Sequence, residues 1–336
     1  MRPIGRTPAF CAVVAYADRM NALLLTVVLA DPWSCEVTAD AITMRSGRAS
    51  LRYQVALKSP PEGVDPLVAG SGFLHPVTTP GGRTVTADFP ADYPHQHGLF
   101  YAWTKTEFRG HEVDFWNAHR GLGRVEHDPS QPVEVLPGRG FRAHLNHDDR
   151  TTDPPTVAMR EVRTYAPLVT RVAGVDVLLI EVESVLAAAT ADPVTLRTHV
   201  YGGFAIRGPD AWVESARFLT PDGADRLAGN HRRYDWAAMT GPAGNGPATI
   251  GLIGPRSNLR SPQPVRLHPT MPYLCFSPTV ERPLAVSREQ PLELRYVYAA
   301  YDGEPDDPAA LWAELVRLSS SPLSSSPLRA DRPPAP

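Results

Sequence analysis

Residues 175–186 read VDVLLIEVESVL, and this stretch carries a clear secondary-structure signal. Leu178, Ile180 and Val182 fall on one face of an extended segment, and Glu181 and Glu183 fall on the other. Because successive side chains of a strand point to opposite faces, this period of two predicts a long strand with one buried face.

The same alternation recurs in LELRYVY, residues 292–298. The chain also has 36 prolines and 25 glycines scattered between short apolar stretches, which is typical of many strands joined by turns. No repeat of 20 to 50 residues indicates a solenoid or propeller. We therefore predict an all-β fold built as one large antiparallel β-sandwich.

One helix is predicted near the C-terminus. Asp306 or Asp307 suits its N-cap, and Pro308 suits its first turn. Its apolar face, which we expect to pack outside the sheets, consists of Leu311, Trp312, Leu315 and Val316.

The predicted domain organisation has three parts. Residues 1–20 form an N-terminal extension, residues 21–318 a single β-sandwich domain, and residues 319–336 a disordered tail. The tail reads SSSPLSSSPLRADRPPAP and has little to bury, so ordering it would cost uncompensated entropy. Met20 is an alternative start of the chain.

The N-terminal segment also resembles a secretory signal, because arginines precede the apolar residues 9–17. Asp18 and Arg19 end that apolar run early, and the next run, residues 23–30, is too short to span a bilayer. We expect a cytoplasmic protein, with secretion as the alternative if residues 1–19 act as a signal.

Composition excludes several partners. The net charge is -3 and no long basic run is present, so the sequence favours neither nucleic acid nor a membrane as partner. The three cysteines, Cys11, Cys35 and Cys275, are odd in number and far apart, which argues against a disulfide framework and for a reducing compartment. The sequence leaves the oligomeric state undetermined.

Histidines are concentrated in one region. Seven of the 11 lie between His75 and His144. Imidazole is the side chain that titrates nearest neutral pH, so clustered histidines suit proton transfer or metal binding. On a strand, His95 and His97 would point the same way, and Gly98 would leave room for a ligand beside them.

Aromatic and acidic residues follow in the same region. Trp103, Phe115 and Trp116 offer ring faces that suit the C–H faces of a sugar, although core packing is the alternative for all three. Asp114 interrupts an apolar run, and its burial would raise its pKa unless a cation such as Arg124 or Arg109, or a histidine, pairs with it.

No cofactor is predicted. A metal ion is an alternative, because His75, His95, His97 and His127 provide enough imidazoles for a zinc, iron or copper site. The chain has no His-Glu-x-x-His motif, no phosphate-binding glycine loop and no Gly-x-Ser-x-Gly elbow.

Several ordered motifs between about Leu51 and Gly303 support a family resemblance. They are Phe73-Leu74-His75-Pro76, Pro80-Gly81-Gly82-Arg83 leading to Thr86, Tyr93-Pro94-His95-Gln96-His97-Gly98-Leu99, Val113-Asp114-Phe115-Trp116, Gly123-Arg124-Val125-Glu126-His127, Glu161-Val162-Arg163-Thr164 and Gly254-Pro255-Arg256-Ser257-Asn258. On these residues the chain resembles the PmoA-like family, an uncharacterised bacterial family. Members of that family usually read His-Pro-His-His-Arg-Gly at residues 93–98, so His97 occupies the position of an arginine. The missing cation argues against binding of an anionic group there.

The chain is more distantly similar to the galactose-mutarotase-like supersandwich. His97-Gly98 resembles the His-Gly loop of that fold, and residues 287–290 followed by the strand at 292–298 resemble its closing turn and strand. This resemblance implies a carbohydrate-active protein with its substrate on the concave face of a large sheet.

The first functional hypothesis is an enzyme with a small, sugar-like substrate. It would perform epimerisation, elimination or hydrolysis at or near the anomeric carbon, as an isomerase, lyase or glycosidase. We assign His95 and His127 as acid and base and Asp114 as the residue that orients one of them. Substrate binding is assigned to His75, His97, Arg124, Trp103 and Trp116.

Two alternatives remain open at this point. One is a non-catalytic sugar-binding module that uses the same imidazole and aromatic surface. The other is a metal-dependent oxygenase or hydrolase with the metal on the histidines named above.

Overall fold

The computed structural model describes residues 33–323, and strands dominate this part of the chain. In chain order the strands are β1 Ser34–Val37, β2 Ala41–Ser46, β3 Ala49–Gln54, β4 Leu74–Thr78, β5 Leu99–Ala102, β6 Thr106–Phe108, β7 His111–Val113, β8 Gly123–His127, β9 Glu134–Leu136, β10 Gly140–Asp149, β11 Thr156–Val172, β12 Val175–Ala188, β13 Val194–Leu196, β14 Gly203–Arg207, β15 Arg217–Leu219, β16 Arg233–Tyr234, β17 Trp236–Pro242, β18 Pro247–Ile253, β19 Gln263–Leu267, β20 Tyr273–Phe276, β21 Leu284–Val286 and β22 Leu292–Asp302. The helical segments are the 3₁₀ turns Pro66–Val68, Ala118–Arg120 and Asp210–Trp212, and the helix α1 Pro308–Leu318.

The strands form two large antiparallel sheets and a small one. The first sheet has the order β1-β2-β3-β4-β5-β14-β20-β19-β16, and the second has the order β15-β17-β18-β22-β12-β11-β10-β8, with β9 paired to β10. The small sheet has the order β21-β13-β6-β7. This architecture confirms the predicted all-β class with large antiparallel sheets.

The main core lies between the two large sheets. Leu51 and Phe204 from the first sheet and Ile180 and Tyr296 from the second belong to one cluster of buried side chains. Apolar burial contributes about 25 cal/mol per Å² of area removed from water, so this layer is the main source of stability.

Strand β12 differs from its prediction because both of its faces are buried. Leu178 and Ile180 face the main core, as predicted, while Val177 and Leu179 belong to a second cluster under α1. The acid Glu181 is also fully buried, since Arg295 on β22 pairs with it at 2.8 Å.

Helix α1 confirms the predicted C-terminal helix. The side chain of Asp307 accepts a hydrogen bond from the backbone N–H of Ala310, and Pro308 occupies the first turn. Leu311, Trp312 and Leu315 are buried against the second sheet. The Trp312 ring stacks on Trp236 with 4.8 Å between ring centroids. The helix therefore packs outside the sheets, as expected.

The ends of the chain lie largely outside the described residues, including the predicted extension 1–20 and most of the predicted tail. The first tail residues contact the domain, however. The backbone N–H of Leu323 donates to Glu181, and the carbonyl of Ser319 accepts from Arg295. In the described part of the chain no helix has the length and apolarity needed to cross a membrane.

The first sheet also has an outer face, and this face positions the candidate site. Phe73, Phe100, Trp116, Tyr273 and other side chains form a third buried cluster there. The two 3₁₀ turns in residues 65–71 and 114–125 contact each other. Residues of both segments line a cavity at this cluster.

Candidate functional site

The cavity is lined by two of the predicted imidazoles, His95 and His97, together with Phe73, Trp116 and Arg124. Its volume is about 50 Å³, enough for a few water molecules. A cavity that holds benzene measures about 150 Å³. A sugar ring therefore fits only if part of the ring stays outside the cavity, or if the wall formed by residues 65–71 and 114–125 moves outward.

His97 is held by a carboxylate on one side. Its Nδ1 lies 2.6 Å from Oδ1 of Asp88, whose other oxygen pairs with Lys58 at 2.6 Å. The ring stacks on Phe73 with 4.6 Å between centroids and packs edge-on against Phe89. Burial would raise the pKa of Asp88, but the bonds from His97 and Lys58 outweigh it and lower that pKa. Asp88 is thus an ionised group that fixes the orientation of His97.

The second ring nitrogen of His97 faces the cavity. A Cβ added at Gly70, which lines the cavity, would lie 3.0 Å from Nε2 of His97. Among residues 33–323 this nitrogen has no hydrogen-bond partner. Because residue 70 is a glycine, no side chain at that position covers Nε2 of His97.

His95 is nearly buried, with 7% of its surface exposed, yet neither ring nitrogen bonds to any described residue. Burial, followed by the neighbouring His119, lowers the pKa of His95 to about 3. The His119 ring lies 4.7 Å from it between centroids. His95 is therefore a neutral imidazole at pH 7, with both nitrogens available to a ligand.

His95 and His97 do not lie on a strand, which was the condition for strand alternation to point them the same way. His95 lies in a turn, and His97 makes only an isolated bridge to Asp88. Buried Arg207 on β14 anchors this loop, because its guanidinium pairs with Asp92 at 2.7 Å and donates to Gln96. The two imidazoles reach one cavity through this anchor and not through strand alternation.

Gly98 also has a different role from the one predicted. A Cβ at this position would lie 2.1 Å from the carbonyl oxygen of Leu74, and the backbone has a φ of 52°. The missing side chain makes room for strand β4 and not for a ligand.

His75 lies next to the cavity without lining it. Its Nδ1 is 3.0 Å from Oγ1 of Thr86, and burial lowers the pKa of His75 to about 4. Asp88, Lys58 and His97, in that order, are the next electrostatic influences on it. His75 therefore belongs to the same neighbourhood but does not line the cavity wall, where a bound molecule would touch it.

The structure does not bring His127 to the cavity. Its Nδ1 lies 3.3 Å from the hydroxyl of Tyr53, a residue of the main core, and its backbone N–H donates to Ser71. Its pKa is lowered by burial, and His95 is not among the groups that influence it. The predicted pairing of His95 with His127 as acid and base is corrected on this geometry.

Asp114 is fully buried and stabilises a turn. Its carboxylate accepts hydrogen bonds from the backbone of Trp116 and Asn117 and from Arg120 at 2.8 Å. Burial would raise the pKa of Asp114, but the bonds from Asn117 and Arg120 keep it lowered. Its cationic partner is thus Arg120, whereas Arg124, Arg109 and the histidines were expected. Asp114 holds the segment that carries Trp116.

The two tryptophans assigned to substrate binding, Trp116 and Trp103, lie in different parts of the structure. Trp116 lines the cavity and contacts Phe100 at 4.7 Å between centroids. Trp103 is 1% exposed in the main core, and its Nε1 donates to Tyr101. The assignment of Trp103 to substrate binding is therefore corrected, because the core-packing alternative holds for it.

Arg124 lines the cavity as predicted. Its Nη1 donates to Glu126 at 2.9 Å and its Nη2 to the carbonyl of Leu67 at 3.3 Å. Its Nε is buried and has no partner among the described residues. The guanidinium therefore connects β8 to the 3₁₀ turn that covers the cavity.

Within residues 33–323, no group of three or more His, Cys, Asp or Glu side chains is placed to hold a metal ion. His127 faces Tyr53, which removes it from the four imidazoles that the metal alternative requires. The donor arrangement gives that alternative no support.

A second polar cluster lies between the sheets, and no sequence pattern predicted its burial. Glu161 accepts from Arg163 at 2.6 Å, from His147 at 3.0 Å and from Ser184 at 2.6 Å, and all four residues are buried. Arg163 also donates to the carbonyl of Gly72, a cavity-lining residue. The cluster supports the floor of the cavity from the interior.

Sequence reasoning missed Asp88, Lys58 and Arg207. Asp88 and Lys58 lie nine and 39 positions from His97, and Arg207 lies 110 positions from it. Separations of this size along the chain do not indicate that the residues are in contact until the fold is known. Arg207 falls on a strand that pairs with β5, so only strand order reveals its position.

Comparison with known proteins gives a family. The chain belongs to the family described as "Family of unknown function (DUF6807)", whose sequence model matches residues 42–313. No curated protein matches the chain. The match does not test the PmoA-like resemblance, which stays a prediction.

Two solved structures show a distant likeness. A heparinase III gene product is 10% identical with a TM-score of 0.32, over 80% of this chain and 36% of that one. A galactose mutarotase related enzyme from Lactobacillus acidophilus is 9% identical with a TM-score of 0.32, over 82% of this chain and 98% of that one. The chain thus spans about a third of the length of the heparinase III protein.

Proposed function

We propose that this member of the DUF6807 family is an enzyme that binds a small, sugar-like molecule in the cavity and removes a proton beside its carbonyl carbon. One observation carries the proposal. His97, oriented by Asp88 at 2.6 Å, and His95, buried without a hydrogen-bond partner among the described residues, line the same cavity.

His97 serves as the general base. The carboxylate of Asp88 accepts the hydrogen bond at Nδ1, so Nδ1 carries the proton and Nε2 keeps its lone pair toward the cavity. A base held in this way removes a proton from carbon without first having to reorient.

His95 serves as a neutral hydrogen-bond donor. With its pKa lowered to about 3 by burial, it carries no charge at neutral pH, and one of its nitrogens bears a hydrogen. Donation of this N–H to the substrate's carbonyl oxygen stabilises the negative charge that develops there when the neighbouring carbon loses its proton.

The lining favours two of the three predicted reaction types. Among the described residues that line the cavity there is no carboxylate, whereas glycoside hydrolysis ordinarily uses a pair of them. Proton removal by His97 gives an enediolate. Donation of a proton from a water molecule to the other face of that carbon completes epimerisation. Departure of a leaving group with its bonding electrons from the next carbon completes elimination.

Substrate binding is assigned to the remaining wall. The rings of Trp116 and Phe73 provide apolar surfaces for the C–H face of a sugar, and Arg124 provides a donor for a hydroxyl. His75 stays a weaker candidate, because it approaches the wall only through Asp88 and His97.

The test is incubation of the purified protein with a panel of aldoses, keto sugars and uronates, with conversion followed by NMR. Replacement His97→Gln should lower turnover at least about 100-fold, the lower range for a general base. His144→Gln, at a half-buried position on β10 outside the cavity, is the matched control and should retain activity. A loss below threefold in His97→Gln would remove His97 from the mechanism.

The same panel separates the main alternative. Saturable binding of a sugar without conversion of any member would identify a sugar-binding module instead of an enzyme.

A further inference from the structure

A row of side chains crosses the outer face of the first sheet and leads away from the cavity. Phe100 on β5 lies opposite Ala205 on β14, which lies opposite Cys275 on β20, which lies opposite Arg266 on β19. Neighbouring strands are about 4.8 Å apart, so the backbone of β19 lies about 14 Å from that of β5. The two middle side chains are small and buried under the cluster that contains Trp116.

Arg266, at the far end of this row, is half-buried and has no acidic partner. Among residues 33–323 it forms no ion pair or side-chain hydrogen bond, and its Nε is enclosed without an acceptor. By contrast, the buried Arg163 and Arg207 pair with Glu161 and Asp92. A partly desolvated guanidinium without a counter-charge costs free energy that a bound anion would offset.

A second unpartnered polar group lies nearby. Tyr273 is 2% exposed, and its hydroxyl finds no oxygen or nitrogen partner among the described residues, with only the weakly accepting sulfur of Cys275 near it. The Tyr273 ring contacts Trp116 with 5.9 Å between centroids, and Trp116 lines the cavity. Trp116 thus links the cavity wall to Tyr273 by side-chain packing.

The net charge of the side chains around Arg266 suits the binding of one negatively charged group. Burial, followed by the nearby Arg266, lowers the pKa of His268 to about 4. Burial also lowers the pKa of His199. Both imidazoles are therefore neutral at pH 7. Of the three arginines that influence His268, Arg207 pairs with Asp92 and Arg226 donates to two backbone carbonyls, whereas Arg266 has no side-chain partner among the described residues. A planar guanidinium binds a carboxylate through two parallel hydrogen bonds.

We propose that Arg266, assisted by the hydroxyl of Tyr273, binds the carboxylate of an acidic substrate longer than one sugar unit. The reacting end lies at His95 and His97, and the carboxylate lies beyond Trp116. The assignment of the reacting end rests on the proposed function, whereas the carboxylate site stands on the geometry of Arg266.

The test compares two disaccharide probes that differ in one group: lactobionate, which carries a carboxylate, and lactitol, which carries an alcohol in its place. Equilibrium binding is measured by calorimetry at low salt, so no turnover is needed. A charge-assisted hydrogen bond contributes roughly 1.5–3 kcal/mol, so lactobionate should bind about ten- to a hundredfold more tightly than lactitol. Glucuronate should show no such preference over glucose, because it is too short.

Variants locate the preference. Arg266→Gln should abolish it and Tyr273→Phe should reduce it, while Arg45→Gln, at an exposed arginine on β2 of the same sheet, should leave it intact. Equal affinities for the two probes, no binding of lactobionate, or a preference that survives in Arg266→Gln would each overturn the proposal. Binding with this pattern in a protein that converts no sugar would uphold the carboxylate site and reject the proposed reaction.

Discussion

Two regions of this molecule contain buried histidines beside a carboxylate, but the histidines have different roles in the two regions. Between the sheets, His147 binds Glu161, which also accepts from Arg163 and Ser184. In the cavity, His95 has no partner among the described residues and His97 has one at Nδ1 only. Nδ1 of His147 also lacks a partner among the described residues, but it is enclosed in the core, whereas His95 and His97 line the cavity. The two regions therefore differ in whether a free nitrogen can meet a ligand.

The comparison separates a structural cluster from a reactive one. A buried charge is tolerated when its partners saturate it, and removing one partner is then costly. A buried imidazole with a free nitrogen facing a cavity gains nothing for stability, and it stays available to a ligand. The predictions that follow set one region against the other.

The largest effect is expected in the interior cluster. Glu161→Gln keeps the shape but leaves the charge of Arg163 without a counter-charge, so the free energy of unfolding should fall by about 3–5 kcal/mol. Urea unfolding measures it. His97→Gln should cost less than half as much. Equal losses in the two variants would contradict the distinction between the regions.

The next effect concerns the carboxylate that orients His97. Asp88→Asn keeps a hydrogen-bonding group but removes the charge, and it should lower kcat about 10- to 100-fold while KM changes little. Steady-state kinetics on the substrate found in the panel separates the two constants. A change confined to KM would mean that Asp88 contributes to binding and not to the base.

A smaller effect is expected in acid. The pKa of His95 is about 3 in the folded protein and near 6.5 in the unfolded chain, so below pH 6.5 the unfolded state takes up a proton that the folded state does not. Stability present above pH 6.5 is therefore lost as the pH falls toward 3, by up to about 1.4 kcal/mol per pH unit.

The measurement for this third prediction compares urea unfolding at pH 7.5 and pH 5.5. The wild-type protein should lose about 1.4 kcal/mol more than His95→Gln between these two values. Parallel losses would show that His95 is protonated in the folded state.

The smallest effect is expected at His127. Because His127 bonds to Tyr53 away from the cavity, His127→Gln should change turnover less than threefold. A loss as large as that of His97→Gln would return His127 to the mechanism and overturn the placement of the reactive pair.

Local patterns predicted the fold well, because strands and helix caps depend on neighbouring residues. The alternation at residues 175–186 and 292–298 became β12 and β22, and Asp307 with Pro308 begins α1. The burial of the second face of β12 was not predictable, since it depends on α1, which lies 120 positions later in the chain.

The site was only partly predictable for the same reason. His95, His97, Trp116 and Arg124 came from a dense motif and do share a cavity. His127 and Trp103 came from the same motif region but face the interior, because a strand or loop directs neighbouring side chains to opposite sides. Asp88, which orients His97, is identified only by its contact with that residue in the structure.

The most direct test of the central claim is exchange of substrate hydrogen with solvent. The protein is incubated in D₂O with the sugar that binds, and the carbon beside the carbonyl is followed by proton NMR. We expect deuterium to enter at that carbon with the wild-type protein and with His144→Gln, and at least about 100-fold more slowly with His97→Gln. Saturable binding with no deuterium entering at that carbon would contradict this expectation.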